Sequence, residues 1–338
     1  SSNYGSKSMQ AWCVTGVGRP KDVIKLKERD LPEPGPGEVQ IKVTVAGMGL
    51  PDVLMCKGEY AFSPELPFTP GQEVAGVVTA VGEGCQSQIG ERVMGVTSFY
   101  TGNGSFAEYC IAPEFSLYPM AQGMSAVEAA AFCIPFHTAI AGLKLRAGLQ
   151  SGEVLLVHGG AGGSGSAAIQ LGKAMGAQVI ATASNQEKLD YCRSLGADHC
   201  INYKTQDFIA CVLELTGGRG ADVVFDPVGG EVFERSVSCT ASGGRLLAVG
   251  FASGRWGTAD TETMVLRNCS SMGVFVGAYG HEEMLKYHQE LLALYTAGKI
   301  SVQPEVAQGL ESVADNLGRL ERRETHGKVV IAIGEKFL

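Results

Sequence analysis

The chain has 338 residues, 45% of them hydrophobic, with 46 glycines and a formal net charge of −8. That length predicts two domains with sizeable cores, and an acidic balance without clustered Lys or Arg excludes a role carried by phosphate-backbone contacts, so no nucleic acid partner is expected. No apolar stretch reaches the ~20 residues needed to span a bilayer, so none is expected to bind or cross a membrane.

Residues 1–8 have neither the charged start nor the apolar core of a signal peptide and are expected to be foreign to a chain whose native start is Met9. An organellar presequence cleaved from the natural protein is compatible with that start. Ten cysteines occur with no C-x-x-C pair, which argues against a zinc ribbon. Most lie in apolar runs, where a thiol behaves as a small hydrophobe. Reduced thiols and a cytoplasmic setting are expected.

Val39–Val45 (VQIKVTV) alternates apolar and polar residues, the pattern of a half-buried strand, and EVAGVVTAV, ERVMGVT and SFAEYCIA follow with glycine-rich turns between them. Residues 9 to about 120 therefore read as mostly β. Ser125-Ala-Val-Glu128 is a capping box that opens a helix, and Pro135 kinks or restarts it. From Glu153 onward strand-like and helix-like runs alternate, giving six strand candidates and a parallel sheet built from βαβ units. A long helix over Glu282–Ala297, another near 309–321, and a last strand in GKVVIAI complete the chain.

Within this alternation, Gly160-Ala161-Gly162-Gly163-Ser164-Gly165 matches G-x-G-x-x-G between an apolar run and a helix. Glycines there permit a tight turn and close backbone approach, while a helix N-terminus offers free N–H groups to a dinucleotide pyrophosphate. The usual acid about 20 residues on, which accepts the ribose 2′-hydroxyl of NAD, is missing. Ser184 and then Lys188 stand in that region. A hydroxyl and an ammonium suit a 2′-phosphate, so NADP (as NADPH) is the expected cofactor; the alternative is a solvated Lys188 balanced by Glu187.

The run VHGGAGGSGSAAIQLGKAMGAQVIATASNQEKLDYCRSLGADHCINY, with PGEVQIKVTVAG, TPGQEVAGVV, GGRGADVVFDPVGG, GGRLLAVGFASG and THGKVVI in the same order, resembles the medium-chain dehydrogenase/reductase superfamily and its zinc-free quinone oxidoreductase, zeta-crystallin-like branch. The resemblance covers nearly the whole chain from Met9. It implies an α/β protein: a six-stranded parallel Rossmann sheet domain at 134–276 that binds NADP, and a mostly β GroES-like catalytic domain at 9–133 and 277–338. Where zinc-dependent members carry a cysteine and a histidine ligand, this chain has Gly49 and Gln72. Neither replaces a thiolate or an imidazole, so no metal, zinc included, is expected.

The implied activity is zinc-independent hydride transfer from NADPH to a quinone or another α,β-unsaturated carbonyl (enone). Alternatives are an enoyl-thioester reductase, or an NADPH-binding protein with a structural or regulatory role and little turnover. The resemblance further implies a 2′-phosphate site at Ser184, Lys188 and Tyr203, with Arg323 from the tail. It implies walls around the nicotinamide from Val249, Gly250, Phe251, Phe275 and Val276, and Thr138 near its ribose or carboxamide. Tyr60 is the candidate catalytic residue, donating a hydrogen bond to the substrate from a pocket with Gly49, Asp52 and Gln72; Tyr60 packing on Phe62, and Asp52 capping a helix turn after Pro51, are the structural alternatives. A homodimer through the edge strand in SSMGVFVGAY is implied as well. His137 and His158 are expected to be structural; His281, His288 and His326 are expected at the surface.

Overall fold

The computed structural model describes residues 7–334, so most of the leading segment 1–8 lies outside the described residues. The described residues form two compact units, one of residues 7–134 with 302–334 and the other Pro135–Ser301. No helix among the described residues is long and apolar enough to cross a membrane.

In the first unit, β1 (Ser8–Val14) and β2 (Ile24–Asp30) form an antiparallel pair. The chain then supplies β3 (Glu38–Met48), β4 (Glu73–Val81), β5 (Arg92–Val96), β6 (Tyr109–Pro113) and β7 (Leu117–Tyr118). Along β3 the alternation read from sequence is realised: Val39, Ile41 and Val43 are buried in a core with Met48, Phe106 and Ile331. Each such side chain contributes on the order of 2 kcal/mol by leaving water. The capping box forms as expected, with Ser125 N–H donating to Glu128 Oε1 (3.0 Å) and Glu128 N–H to Ser125 Oγ (3.1 Å). The helix it opens is one turn long, Ala126–Ala129, and a second runs Cys133–Ile140. Pro135 sits in the first turn of that second helix, where its missing N–H costs no helical bond.

The second unit holds β8 (Val154–Val157), β9 (Gln178–Ala183), β10 (His199–Asn202), β11 (Ala221–Asp226), β12 (Thr240–Ala248) and β13 (Ser270–Gly273). All pair in parallel, in the order β10-β9-β8-β11-β12-β13. This is the doubly wound arrangement in which ligands bind beyond the carboxyl ends of the strands, where the strand order reverses. Between β8 and β9, the helix Gly163–Ala174 packs so closely that a Cβ on Gly172 would lie 2.4 Å from Leu155.

The long helix spans His281–Thr296 and falls in the second unit, whereas the sequence placed everything after 276 with the catalytic domain. Its inner face explains the difference: Met284, His288 and Leu291 are buried, and His288 Nδ1 lies 2.9 Å from His137 Nε2. His288 is therefore a core residue and not a surface one. Back in the first unit, β14 (Glu305–Gln308) and β15 (Val329–Ala332) close the seven-stranded sheet, with β15 antiparallel to β3.

Candidate functional site

In the second unit, the turn after β8 is shaped by its glycines. A Cβ on Gly165 would stand 2.1 Å from the Gly159 carbonyl oxygen, and one on Gly160 would stand 2.8 Å from Cys192 Sγ. Gly162 is different, since its only near neighbour is the Gly159 oxygen at 3.3 Å. Two of the three motif glycines thus let the turn pack against the sheet, and Gly162 keeps the outer face open. Gly162 is also the N-cap of helix Gly163–Ala174, and no side chain caps that helix. The first-turn N–H groups of Gly163, Ser164 and Gly165 have no helical acceptor and are placed at the positive end of the helix dipole. This cradle fits a pyrophosphate. Ala161 is buried behind it.

The neighbouring strand ends bring the other predicted groups together. Gly160 N–H donates to the Thr182 carbonyl (2.9 Å), which ties the turn to the end of β9. Ser184 follows β9 directly; Tyr203 follows β10 and donates its N–H to the Ala183 carbonyl (3.2 Å). Lys188 lies in the first turn of helix Gln186–Ser194, whose N-cap Asn185 accepts the Lys188 N–H (2.9 Å). Sequence reasoning passed over Asn185, although an Asn before a helical run is an N-cap signal. The residue that follows β9 is the half-buried Ser184 and not an acid; Tyr203 is exposed, and Glu187 stands beside Lys188 in the first turn of the helix.

Farther along the same edge, Val249 and Gly250 leave β12 with their N–H groups on the Asp226 carbonyl, and Phe251 stacks on Trp256 at 4.7 Å. Val274 N–H bonds the Ala248 carbonyl, which carries Phe275 and Val276 past the end of β13. Asp226 is turned inward onto the N–H groups of Val228 and Gly229, and burial raises its pKa to about 6. Thr138 is half-buried on helix Cys133–Ile140. His137 and His158 are buried, and burial pushes both pKa values down to about 3. His158 spans Thr182 Oγ1 (3.1 Å) and Ser236 Oγ (2.8 Å), a structural bridge.

In the first unit the predicted substrate residues surround a buried charged cluster. Gly49 is the N-cap of helix Leu50–Cys56. Asp52, fully buried, accepts the Gly49 N–H at Oδ2 and the Gly71 N–H at Oδ1, both at 3.0 Å. It caps the helix and ties it to the segment that leads into β4, with both oxygens engaged by backbone. Burial raises its pKa to about 6, against the opposing pull of those N–H groups and Lys328. Glu73 is 1% exposed; its Oε1 accepts the Ile134 N–H (2.9 Å) and lies 3.6 Å from Lys328 Nζ, while its Oε2 has no partner. Burial lifts its pKa to about 7, with Lys328 opposing.

A Cβ on Gly49 would meet Lys328 Nζ at 3.4 Å. An ammonium thus faces the position from which a zinc-site thiolate would project, and Gln72 offers an amide in place of an imidazole; this donor set does not fit a zinc ion. Gln72 is 6% exposed and its side chain faces the Tyr60 hydroxyl. Tyr60 packs edge-on against Phe62 at 5.8 Å and tilted against Phe99 at 6.3 Å; burial raises the pKa of its hydroxyl, and Gln72 works in the opposite direction. Glu73 and Lys328 were not singled out from sequence. Their signal was an acid opening the apolar run EVAGVV and a lysine opening VVIAI, each a charge where a strand enters the core. Arg323, in the first unit after helix Val313–Glu321, holds a positive φ of 59°.

Comparison with known proteins agrees with both halves. The alcohol dehydrogenase GroES-like domain matches residues 35–122, and the zinc-binding dehydrogenase family matches residues 163–293. A quinone oxidoreductase-like protein 2 homolog of Nematostella vectensis is 36% identical over 335 residues, covering 97% of this chain and 90% of its own. The rat quinone oxidoreductase-like protein 2 is 32% identical, covering 97% and 93%. Among solved structures, a mycobacterial protein complexed with NADPH superimposes with a TM-score of 0.88 at 31% identity, covering 96% of this chain and 99% of its own. The quinone oxidoreductase of Pseudomonas syringae pv. tomato gives the same TM-score and coverage at 29% identity. With its six-stranded parallel sheet, GroES-like sheet and glycine turn, the chain belongs to the medium-chain dehydrogenase/reductase superfamily, in the quinone oxidoreductase branch.

Proposed function

We propose that the protein is an NADPH-dependent, zinc-independent reductase of quinones or other α,β-unsaturated carbonyls. The observation that carries the cofactor choice is the end of β9, where Ser184 stands in place of the usual acid and Lys188 and Tyr203 follow on the neighbouring elements. A carboxylate would repel a 2′-phosphate, whereas hydroxyls and an ammonium bind one. The NADPH in the mycobacterial neighbour and the names of the relatives support the same reading.

The N–H groups of Gly163, Ser164 and Gly165 would hold the pyrophosphate, with Gly160, Ala161 and Gly162 setting the turn. Val249, Gly250, Phe251, Phe275 and Val276 would wall the nicotinamide and keep it dry, with Thr138 fixing its ribose or carboxamide. When bound, NADPH supplies the hydride, so the chain needs no nucleophile of its own. Quinones and enones suit such a site because they are electrophilic without a Lewis acid. Tyr60 would donate to the acceptor oxygen.

The ten free cysteines support a reducing, cytoplasmic setting. The exposed strand β13 at the sheet edge, with Phe275 59% exposed, supports a homodimer; a monomer mass by light scattering at micromolar protein would refute that part. The test of function is the initial rate with NADPH and with NADH on a panel of quinones and enones, with and without a metal chelator. Turnover that favours NADPH and ignores the chelator is expected. NADH preference, or loss of activity with chelator, would overturn the proposal.

A further inference from the structure

His158 is the first residue beyond β8, beside the point where the strand order reverses. Its imidazole reaches Thr182 on β9 to one side and Ser236, at the end of the helix Gly230–Ser236 after β11, to the other. Burial keeps the ring neutral by lowering its pKa to about 3, so one ring nitrogen carries the proton. The partners decide which. Ser236 Oγ donates its hydrogen to the Val232 carbonyl (2.6 Å) and therefore accepts from His158 Nε2–H at 2.8 Å; Nδ1 is left as an acceptor and takes the Thr182 hydroxyl at 3.1 Å. His158, Thr182 and Ser236 are all buried, and the edge of the ring packs on Phe208 at 4.8 Å. The result is one directed chain of hydrogen bonds from Thr182 through His158 and Ser236 to Val232, in a setting where an unmade bond is costly.

Thr182 is the residue through which the two expected phosphate sites are joined. Its carbonyl accepts the N–H of Gly160, the first glycine of the pyrophosphate turn (2.9 Å), and two residues on stands Ser184. With the imidazole on its hydroxyl, Thr182 is tied to the chain after β8 twice, by backbone at Gly160 and by side chain at His158. We propose that His158 is a positioning residue for the cofactor: through Thr182 it fixes the spacing between the pyrophosphate turn after β8 and the 2′-phosphate site after β9. This rests on the NADPH reading above, and every group involved lies in the second unit. A ligand that carries both phosphate groups gains affinity from sites already held at the matching span, because the second contact costs little further ordering. Phosphates offered separately gain nothing from the spacing.

The test separates spacing from local contact. Inorganic pyrophosphate probes the turn, 2′-AMP probes the end of β9, and 2′-phospho-ADP-ribose spans both without a nicotinamide. Thr182→Val keeps the shape and removes the hydroxyl. In it the Kd of the spanning ligand is expected to rise roughly 10-fold, while the two small ligands stay within about threefold of wild type by NMR titration. Thr182→Ser, which keeps a hydroxyl, is expected to bind the spanning ligand as wild type does. Adding His158→Phe to Thr182→Val is expected to cost no further affinity, since both changes break the same bond. An unchanged spanning Kd in Thr182→Val, a parallel loss for all three ligands, a loss in Thr182→Ser, or a further loss in the double variant would each overturn the positioning role and leave the NADPH reading intact. If the wild-type protein binds 2′-phospho-ADP-ribose no better than ADP-ribose, the NADPH reading fails first, and the positioning role falls with it.

Discussion

Replacing Glu73 by Gln removes a charge from a carboxylate only 1% exposed in the first unit while keeping an oxygen for the Ile134 N–H. Burial holds the Glu73 pKa at about 7 against 4.5 for the free group. At about 1.4 kcal/mol per unit, ionised Glu73 costs the folded state about 3 kcal/mol relative to its protonated form. Because the folded pKa is the raised one, the stability is complete below about pH 4.5 and is lost as pH rises through about 7. Gln cannot titrate, so the stability of Glu73→Gln minus that of wild type should climb by about 3 kcal/mol between pH 4.5 and 8. Urea unfolding at several pH values, followed by the fluorescence of Trp12 in the same unit's core, measures this difference. A difference that is flat or falls with pH would refute the reasoning, since it would mean that Glu73 ionises with an ordinary pKa.

Lys188→Glu should weaken NADPH roughly 10- to 100-fold and NADH far less, measured by fluorescence titration; equal losses would remove the 2′-phosphate site. Gly165→Ala forces a Cβ to 2.1 Å from the Gly159 oxygen, so the turn must shift, and NADPH affinity and Tm should fall together. A variant with wild-type affinity and Tm would show that the turn is not under this constraint. His158 is held neutral with a pKa of about 3, below the unfolded value of 6.5, so it subtracts stability as pH drops below 6.5. At pH 5 that loss is about 2 kcal/mol, and His158→Gln should flatten the acid limb of a urea stability series; an unchanged slope would contradict the buried neutral ring.

Much of this was legible in the sequence because it rests on local rules. The period-2 pattern of β3, the capping box at Ser125, and the strand-glycine-helix unit at 154–174 each depend on a few neighbours in the chain. The acid missing after β9 could be noticed without any coordinates. What escaped was long-range. The pairing of His137 with His288, which draws helix His281–Thr296 into the second unit, joins residues 151 apart in the chain. Lys328 reaches Glu73 across a still longer gap, and no periodicity signals that a lysine side chain will be 90% buried beside two carboxylates. Asp52 stood out as a pocket residue, yet its oxygens are fixed on backbone N–H groups whose positions follow only from the fold.

The central claim is direct hydride transfer from NADPH to an unsaturated carbonyl without a metal. Single-turnover reduction of an enone by C4-deuterated NADPH, in the presence of chelator, tests it most directly. The account predicts one deuterium on the β-carbon of the product, read by mass spectrometry and NMR; a product with no deuterium at that carbon, or no product until zinc is restored, would contradict it.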